Sequence, residues 1–115
     1  MTTFVLVPGA WQGGWCWQRV TPRLRAAGHE VYTPTLTGLG ERAHLARPDV
    51  DLDTHIQDVV NVLTYEDLHE VILVGHSYAG IVVTGVAIRG RPTRVGWPAS
   101  GSRSHTSRLA GSAPG

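Results

Sequence analysis

The segment GHSYAG at residues 75–80 holds the side chain best placed to do chemistry, a serine flanked by small residues. The pattern G-x-S-x-G places a serine on a strained turn between a strand and a helix, where its hydroxyl can act as a nucleophile. Alanine replaces the second glycine here, and because it adds only one methyl group we expect the turn to survive. Ser77 is therefore the predicted catalytic nucleophile. The residues expected to support this elbow are Gly75, His76, Ala79 and Gly80.

The segments on either side of Ser77 match the strand and the helix that this pattern requires. Residues 71–74, VILV, are apolar on both faces, as in a buried strand, and residues 80–87 are apolar nearly all round, as in a buried helix. An alternative is that a serine between a strand and a helix serves solely as the cap of that helix. The combination of strand, glycine and apolar helix favours the nucleophile over the cap.

A serine nucleophile of this kind needs two backbone N–H groups that hold the oxyanion of the intermediate. Tyr78 follows the serine and supplies the first N–H by its position. The second is expected from Ala10, because Pro8 and Gly9 end a short apolar strand and let the backbone turn toward the site. Gly9 and Trp11 are also candidate substrate-pocket residues, although an ordinary turn and a core tryptophan would look the same in sequence.

No cofactor or metal site is predicted from the residue types present. A P-loop for nucleotide phosphates needs a lysine after its last glycine, and the chain has no lysine. The single cysteine, Cys16, excludes a cysteine-rich zinc site, and the histidines lack the spacing of a helical zinc motif. His76 neighbours Ser77 but alternates to the other side of the strand, so we do not expect it to act as the base.

Short strands and helices alternate along the first three-quarters of the chain. Strands are predicted at residues 3–7, 29–32 and 71–74. Helices are predicted from Trp17 to Leu24 with a stop at Gly28, from Thr54 to Leu63, and over residues 80–87. A capping-box pattern between Thr54 and Gln57 marks the start of the second helix. We therefore predict an α/β fold with a parallel sheet of about three strands flanked by helices, whose ligand crevice lies beyond the carboxyl ends of the strands.

Charge and composition change sharply near residue 88. Residues 1–87 carry a net charge of −4, whereas residues 88–115 carry five arginines and no acidic residue. Glycine, serine and proline make up 13 of these last 28 residues, which leaves too few apolar side chains to offset the entropy of ordering. We predict a globular unit over residues 1–87 and a disordered basic tail over residues 88–115.

The chain as a whole lacks the character of a nucleic-acid-binding or membrane protein. Its net charge is +1, and the arginines of the tail are not interleaved with aromatic residues beyond Trp97. No stretch approaches the roughly 20 apolar residues of a membrane span, and the N-terminus lacks the pattern of a signal peptide. We expect neither nucleic acid nor a membrane as a partner, and a cytoplasmic location.

Several of these motifs, taken in order, resemble the α/β-hydrolase fold. The matching segments are VLVPGAW at 5–11, GGW at 13–15, GHEV at 28–31, LTGLG at 36–40 and VGHSY at 74–78. Within that fold the chain most resembles small esterases of the salicylate and methyl-ester type and plant hydroxynitrile lyases. The resemblance runs from about Thr3 to Ala87 and implies a serine nucleophile that hydrolyses small-molecule carboxylic esters.

The catalytic triad of that family follows the chain order serine, acidic residue, histidine. After Ser77 this sequence has no Asp or Glu, and its only later histidine is His105 in the predicted tail. The chain is therefore expected to be the N-terminal half of such an esterase, truncated before its acid and base, and inactive alone. A hydroxynitrile lyase that uses the same serine in a proton relay, and a non-catalytic binding module, stay open as alternatives.

A frameshifted reading is our hypothesis for the origin of residues 88–115. The resemblance stops inside the helix that follows the elbow, and the composition changes at once to Arg, Gly, Ser, Pro and Ala. All five residue types have G- or C-rich codons, as expected when a GC-rich gene is read out of frame, and the absence of lysine points to the same base composition. The competing hypothesis is a basic tail that evolved to bind a partner.

Translation of the DNA downstream of codon 88 in the other two frames tests this hypothesis. We expect one frame to restore an apolar strand soon after the helix, followed by an Asp or Glu and then a late His. Early stop codons in both frames, with no strand pattern in either, would rule out the frameshift.

Overall fold

The computed structural model describes residues 2–89 in full and, further along, the backbone of two strands at residues 93–98 and 104–108. The strands are β1 (Thr3–Val7), β2 (Glu30–Tyr32), β3 (Val71–Gly75), β4 (Thr93–Pro98) and β5 (Ser104–Arg108). The helices are α1 (Thr21–Ala26), α2 (Leu52–Tyr65) and α3 (Ala79–Ile88), with 3₁₀ segments at Gly14–Trp17 and Gly40–Leu45. None of the helices in this described part is long and apolar enough to cross a membrane.

The strands form one sheet in the order β2-β1-β3-β4-β5. β1 pairs in parallel with β2 on one side and with β3 on the other, which confirms the predicted three-stranded parallel core. β4 pairs in parallel with β3, and β5 pairs antiparallel with β4 at the edge.

The two outer strands lie within the range predicted to be a disordered tail, so the sheet is larger than the sequence predicts. A free sheet edge offers backbone hydrogen bonds to any extended segment, whatever its apolar content, and composition alone does not register this opportunity. The other residues of that range, 90–92, 99–103 and 109–115, lie outside the described residues. The predicted boundary at residue 88 and the frameshift hypothesis therefore stay predictions.

The main core lies between one face of the sheet and the helices α2 and α3. Val5, Val7 and Leu73 project from β1 and β3 into this core and are fully buried. α3 packs against both β3 and α2, whereas Ile81 and Ile88 of its apolar sequence are exposed. The helical residues that complete the core are Ile56, Val59, Leu63, Val82, Val83 and Val86.

α2 begins almost one turn earlier than the sequence predicts. Its N-cap is Asp51, whose carboxylate accepts a hydrogen bond from the Thr54 N–H at 3.0 Å. The Thr54 hydroxyl accepts a hydrogen bond from the Asp51 N–H at 3.3 Å, which completes a capping box. The predicted box between Thr54 and Gln57 is therefore wrong, because Asp51 offers an equally good partner upstream and its charge favours the helix N-terminus.

The first predicted helix is divided into two pieces. Trp17 ends a 3₁₀ segment, and α1 begins only at Thr21, which places Pro22 in the first turn. A proline there removes no helical hydrogen bond, whereas in a continuous helix from Trp17 it would. The predicted stop at Gly28 is confirmed, since this residue has a φ of +91° just after the helix.

Leu73→Ala tests the position of the core. We expect the substitution to lower the free energy of unfolding by about 2–5 kcal/mol, because it leaves a cavity in a fully buried site. Leu45→Ala is the matched control, since Leu45 is 39% exposed and its loss should cost less than about 1 kcal/mol. Urea titrations of both variants measure these values, and equal losses would contradict the described core.

Candidate active site

The two loops predicted to form the site lie side by side at one edge of the sheet. β1 and β3 are parallel neighbours, and Val7 stands opposite Gly75 at their carboxyl ends. The pairing continues one residue further, where the His76 N–H donates to the Val7 carbonyl at 3.4 Å. The loop after β1 and the elbow after β3 therefore start from adjacent points, as the crevice rule for parallel sheets predicts.

Ser77 has a left-handed backbone conformation, with a φ of +57°. A residue with a Cβ atom occupies this region at a cost of about 1–2 kcal/mol, and such strain is concentrated at functional turns. The chain needs this conformation to reverse from β3 into α3, which begins two residues later at Ala79. The serine therefore stands on a strained strand-to-helix turn, as the sequence pattern predicts.

Gly75 lets the end of β3 approach the start of α3. A Cβ atom at this position would lie 2.6 Å from the Ala79 carbonyl carbon and 2.9 Å from the Gly80 nitrogen, closer than real contacts allow. The methyl group of Ala79 is itself fully buried. The absence of a side chain at Gly75 is thus required by sterics, whereas the methyl group of Ala79 fits at the second glycine position of the pattern.

Gly9 brings the first loop against the elbow. A Cβ atom built on Gly9 would lie 3.0 Å from the His76 carbonyl oxygen and 3.5 Å from the Ser77 Cβ. The backbone N–H groups of Ala10 and Tyr78 make no hydrogen bond to any other residue within 2–89. Both predicted oxyanion donors are therefore free within the described residues, which is the condition for holding a ligand oxygen.

The space next to Ser77 is an open apolar cavity of about 400 Å³. Gly80, Ile81 and Thr84 on the exposed side of α3 line it together with the serine. Trp11, a predicted pocket residue, does not belong to this lining: it has a φ of +69° and is 86% exposed. Its role, like that of Gly9, stays a prediction.

His76 faces a different space from Ser77. The His76 side chain is exposed and lines a small cavity with Gln12, Cys16 and Trp17. Burial raises the pKa of the Cys16 thiol in this cavity. The Ser77 hydroxyl has no hydrogen-bond partner among residues 2–89, so none of their histidines is placed as its base. The predicted support by His76 comes from its backbone, whose carbonyl accepts a hydrogen bond from the Ala79 N–H at 3.1 Å.

Tyr78 makes a side-chain contact that the sequence does not predict. Its hydroxyl lies 2.8 Å from Nδ1 of His55 on α2, and the two rings meet edge to face. Burial raises the pKa of the Tyr78 hydroxyl, and the negative charge of Asp51 raises it further, so this group stays protonated at neutral pH. The signal for His55 was its place on α2, because it falls beside Ile56 on the helix face that is otherwise apolar.

The glycine-rich loops that precede α1 and α2 pack against each other. A Cβ atom on Gly40, which has a φ of +52°, would lie 2.7 Å from the Gly13 Cα. The Thr35 hydroxyl donates to the Glu41 carboxylate at 2.7 Å and accepts from the Gly14 N–H at 2.8 Å. The hydrogen bond from Thr35 lowers the pKa of Glu41, and together the two bonds connect the Gly40 loop to the segment that follows Ala10.

Comparison with known proteins is consistent with this geometry. A sequence profile of the alpha/beta hydrolase family matches residues 4–113, which extends past Ala87, where the motifs place the end of the resemblance. A carbendazim-hydrolysing esterase from Nocardioides sp. (strain SG-4G) is 58% identical over 92 residues, covering 80% of this chain and 38% of the relative. Methylesterase 3 from Arabidopsis thaliana is 35% identical over 95 residues, covering 79% of this chain and 35% of the relative.

A solved structure shows the same relationship. An extracellular alpha/beta-hydrolase from a Paenibacillus species, described as similar to tobacco salicylic acid binding protein 2, superposes with a TM-score of 0.70 at 34% identity. The match covers 77% of this chain and 36% of that chain. The chain therefore spans a little over a third of the length of these relatives.

Gly75→Ala tests the close approach that builds the elbow. We expect a loss of about 3 kcal/mol or more in unfolding free energy, because the new methyl group meets backbone atoms that cannot move aside. Gly28→Ala is the control: its Cβ would meet nothing within 4 Å, so only the strain of a φ of +91° remains, about 1–2 kcal/mol. Thermal or urea unfolding measures both, and a smaller loss at Gly75 than at Gly28 would contradict the described packing.

Proposed function

We propose that this chain, which belongs to the alpha/beta hydrolase family, carries the nucleophile and the oxyanion hole of a serine esterase for small carboxylic esters. The observation that carries the proposal is the left-handed Ser77 between β3 and α3. The esterases among its relatives support the same reaction class. Because the chain spans a little over a third of their length, the activity is proposed for the protein that contains this segment together with the rest of the fold.

The reaction begins when the Ser77 oxygen attacks the ester carbonyl carbon and its proton passes to a general base. The carbonyl oxygen becomes an oxyanion, held by the N–H groups of Ala10 and Tyr78, which have no partner within residues 2–89. The intermediate collapses with loss of the alcohol, which takes the proton back from the base and leaves an acyl group on Ser77. Water, activated by the same base, then attacks the acyl group and releases the carboxylic acid.

The base and its acidic partner must come from outside residues 2–89. No histidine of that part forms a hydrogen bond with the Ser77 hydroxyl, and a serine without a base is a weak nucleophile. We therefore expect residues 1–115 alone to be inactive. The cavity formed by Gly80, Ile81 and Thr84 offers mainly apolar surface beside the serine, which suits the acyl or alcohol part of a small uncharged ester. A cytoplasmic location is proposed on the sequence alone.

Ser77→Ala is the direct test. The chain is joined to the C-terminal part of the carbendazim-hydrolysing relative, and hydrolysis of p-nitrophenyl acetate and butyrate is followed by absorbance. We expect the alanine variant to lose kcat/KM by about 10³-fold or more, since no other group can form the acyl intermediate. The chain alone, assayed in parallel, should not exceed the buffer rate.

Tyr65→Phe provides the matched control, because it also removes one hydroxyl but from a ring that is 83% exposed at the end of α2. Its activity should equal that of the unsubstituted fusion. If the Ser77→Ala fusion keeps most of its activity, the nucleophile is assigned wrongly. Cleavage of a cyanohydrin in place of the esters would favour the lyase alternative.

A further inference from the structure

We infer that His55 is a positioning residue whose imidazole, through the Tyr78 hydroxyl, keeps the peptide N–H of Tyr78 aligned with the oxyanion. The inference rests on the proposed function, which gives that N–H its role. Tyr78 follows the nucleophile directly, and its side chain extends to α2. A contact that fixes the ring therefore restrains the peptide that joins Ser77 to Tyr78.

His55 is held on both sides in a buried position. It is 7% exposed, and its Nδ1 and Nε2 atoms lie 2.8 Å from the Tyr78 hydroxyl and 2.8 Å from the Thr37 carbonyl oxygen, respectively. The rings of His55 and Tyr78 are nearly perpendicular, with centroids 5.6 Å apart and an interplanar angle of 82°. This edge-to-face geometry is favourable by itself.

The partners determine the direction of each hydrogen bond. A backbone carbonyl can only accept, so Nε2 of His55 carries the proton and donates to Thr37. In the tautomer with its single proton on Nε2, Nδ1 is an acceptor, and the Tyr78 hydroxyl donates to it. The raised pKa of Tyr78, caused mainly by burial, keeps the donor proton in place at neutral pH.

Thr37, whose carbonyl oxygen bonds to His55, is also bonded to a second residue of α2, Asp58. The Asp58 carboxylate accepts hydrogen bonds from the Thr37 N–H at 2.7 Å and from the Thr37 hydroxyl at 2.8 Å. Asp58 and His55 are three residues apart on the same helix, so both form hydrogen bonds with Thr37 from one helix face. The chain of contacts from Asp58 through Thr37 and His55 to Tyr78 connects the elbow to a rigid helix.

The elbow has a specific need for this restraint. Ser77 is in a strained conformation, and the N-cap of α3, Tyr78, forms no side-chain capping bond to the helix. A strained turn relaxes unless its surroundings hold it. Because stabilisation of an oxyanion falls steeply when a donor moves from its place, a slackened Tyr78 peptide should slow the chemical step more than it weakens substrate binding.

His55→Phe removes both ring nitrogens while keeping a flat ring in the same place. In the esterase fusion we expect kcat to fall about tenfold and KM to change less than about twofold. Tyr78→Phe, which keeps the backbone N–H, should give a similar loss. The double variant should lose no more than His55→Phe alone, because the hydrogen bond that Tyr78→Phe removes is already absent from that variant. His55→Asn returns an acceptor oxygen near the Nδ1 position and should restore most of kcat.

His29→Phe is the matched control. The His29 Nδ1 also accepts a hydrogen bond, from the Thr2 N–H at 3.1 Å, and its ring also meets an aromatic edge, that of Phe4 at 5.3 Å. It lies at the opposite end of the sheet, so kcat should stay unchanged. A loss of kcat at His29 equal to that at His55 would mean that general destabilisation explains both.

Hydrogen–deuterium exchange of the 115-residue chain measures the restraint without any activity. We expect His55→Phe to speed exchange of the amides of residues 79–82 about fivefold and His29→Phe to leave them unchanged. Faster exchange with an unchanged kcat overturns the positioning role, and unchanged exchange overturns the restraint itself. If the unsubstituted fusion hydrolyses no ester while His55→Phe still speeds exchange, the proposed function fails and the restraint of the elbow stands.

Discussion

The close approach between the last residue of β3 and the first turn of α3 is the constraint on which the site depends. Only glycine fits at Gly75, because any Cβ there would meet the backbone of Ala79 and Gly80. The chain must then turn from strand to helix within three residues, which forces Ser77 into the left-handed region. The same turn leaves the hydroxyl exposed and the next N–H without a partner among the described residues.

The strain at Ser77 persists because the elements on both sides of it are firmly buried. Val7 and Leu73 are fully buried near the ends of their strands, and Val82 and Val83 anchor the first turns of α3 in the same core. A cost of about 1–2 kcal/mol for the left-handed residue is small beside the apolar burial of these side chains. The parallel pairing of β1 and β3 then brings a second N–H without a partner among residues 2–89, that of Ala10, to the same edge.

Hydrogen bonds between polar side chains fix the detailed geometry of the elbow that the apolar core positions. The hydrogen bonds of His55 to Tyr78 and Thr37 connect three separate parts of the chain, and each contributes about 1 kcal/mol net when made. Leaving one of these buried groups without a partner would cost about 1–3 kcal/mol, so the arrangement is specific. The loops at Gly13 and Gly40 are held together in a similar way, by close backbone contact and by the hydrogen bonds of Thr35 to Glu41 and Gly14.

The sequence by itself determined β1, β2 and β3, their parallel arrangement and the position of the serine elbow, because short apolar runs, a stop at Gly28 and the G-x-S-x-A pattern are local signals. It placed the start of α2 wrongly, since two capping pairs compete within one turn and only the packed helix selects Asp51. It also missed the partner of Tyr78, which lies 23 residues away at His55, and the strands that extend the sheet beyond β3. Contacts of this kind depend on which surfaces the folded chain brings together, and no spacing in the sequence encodes them.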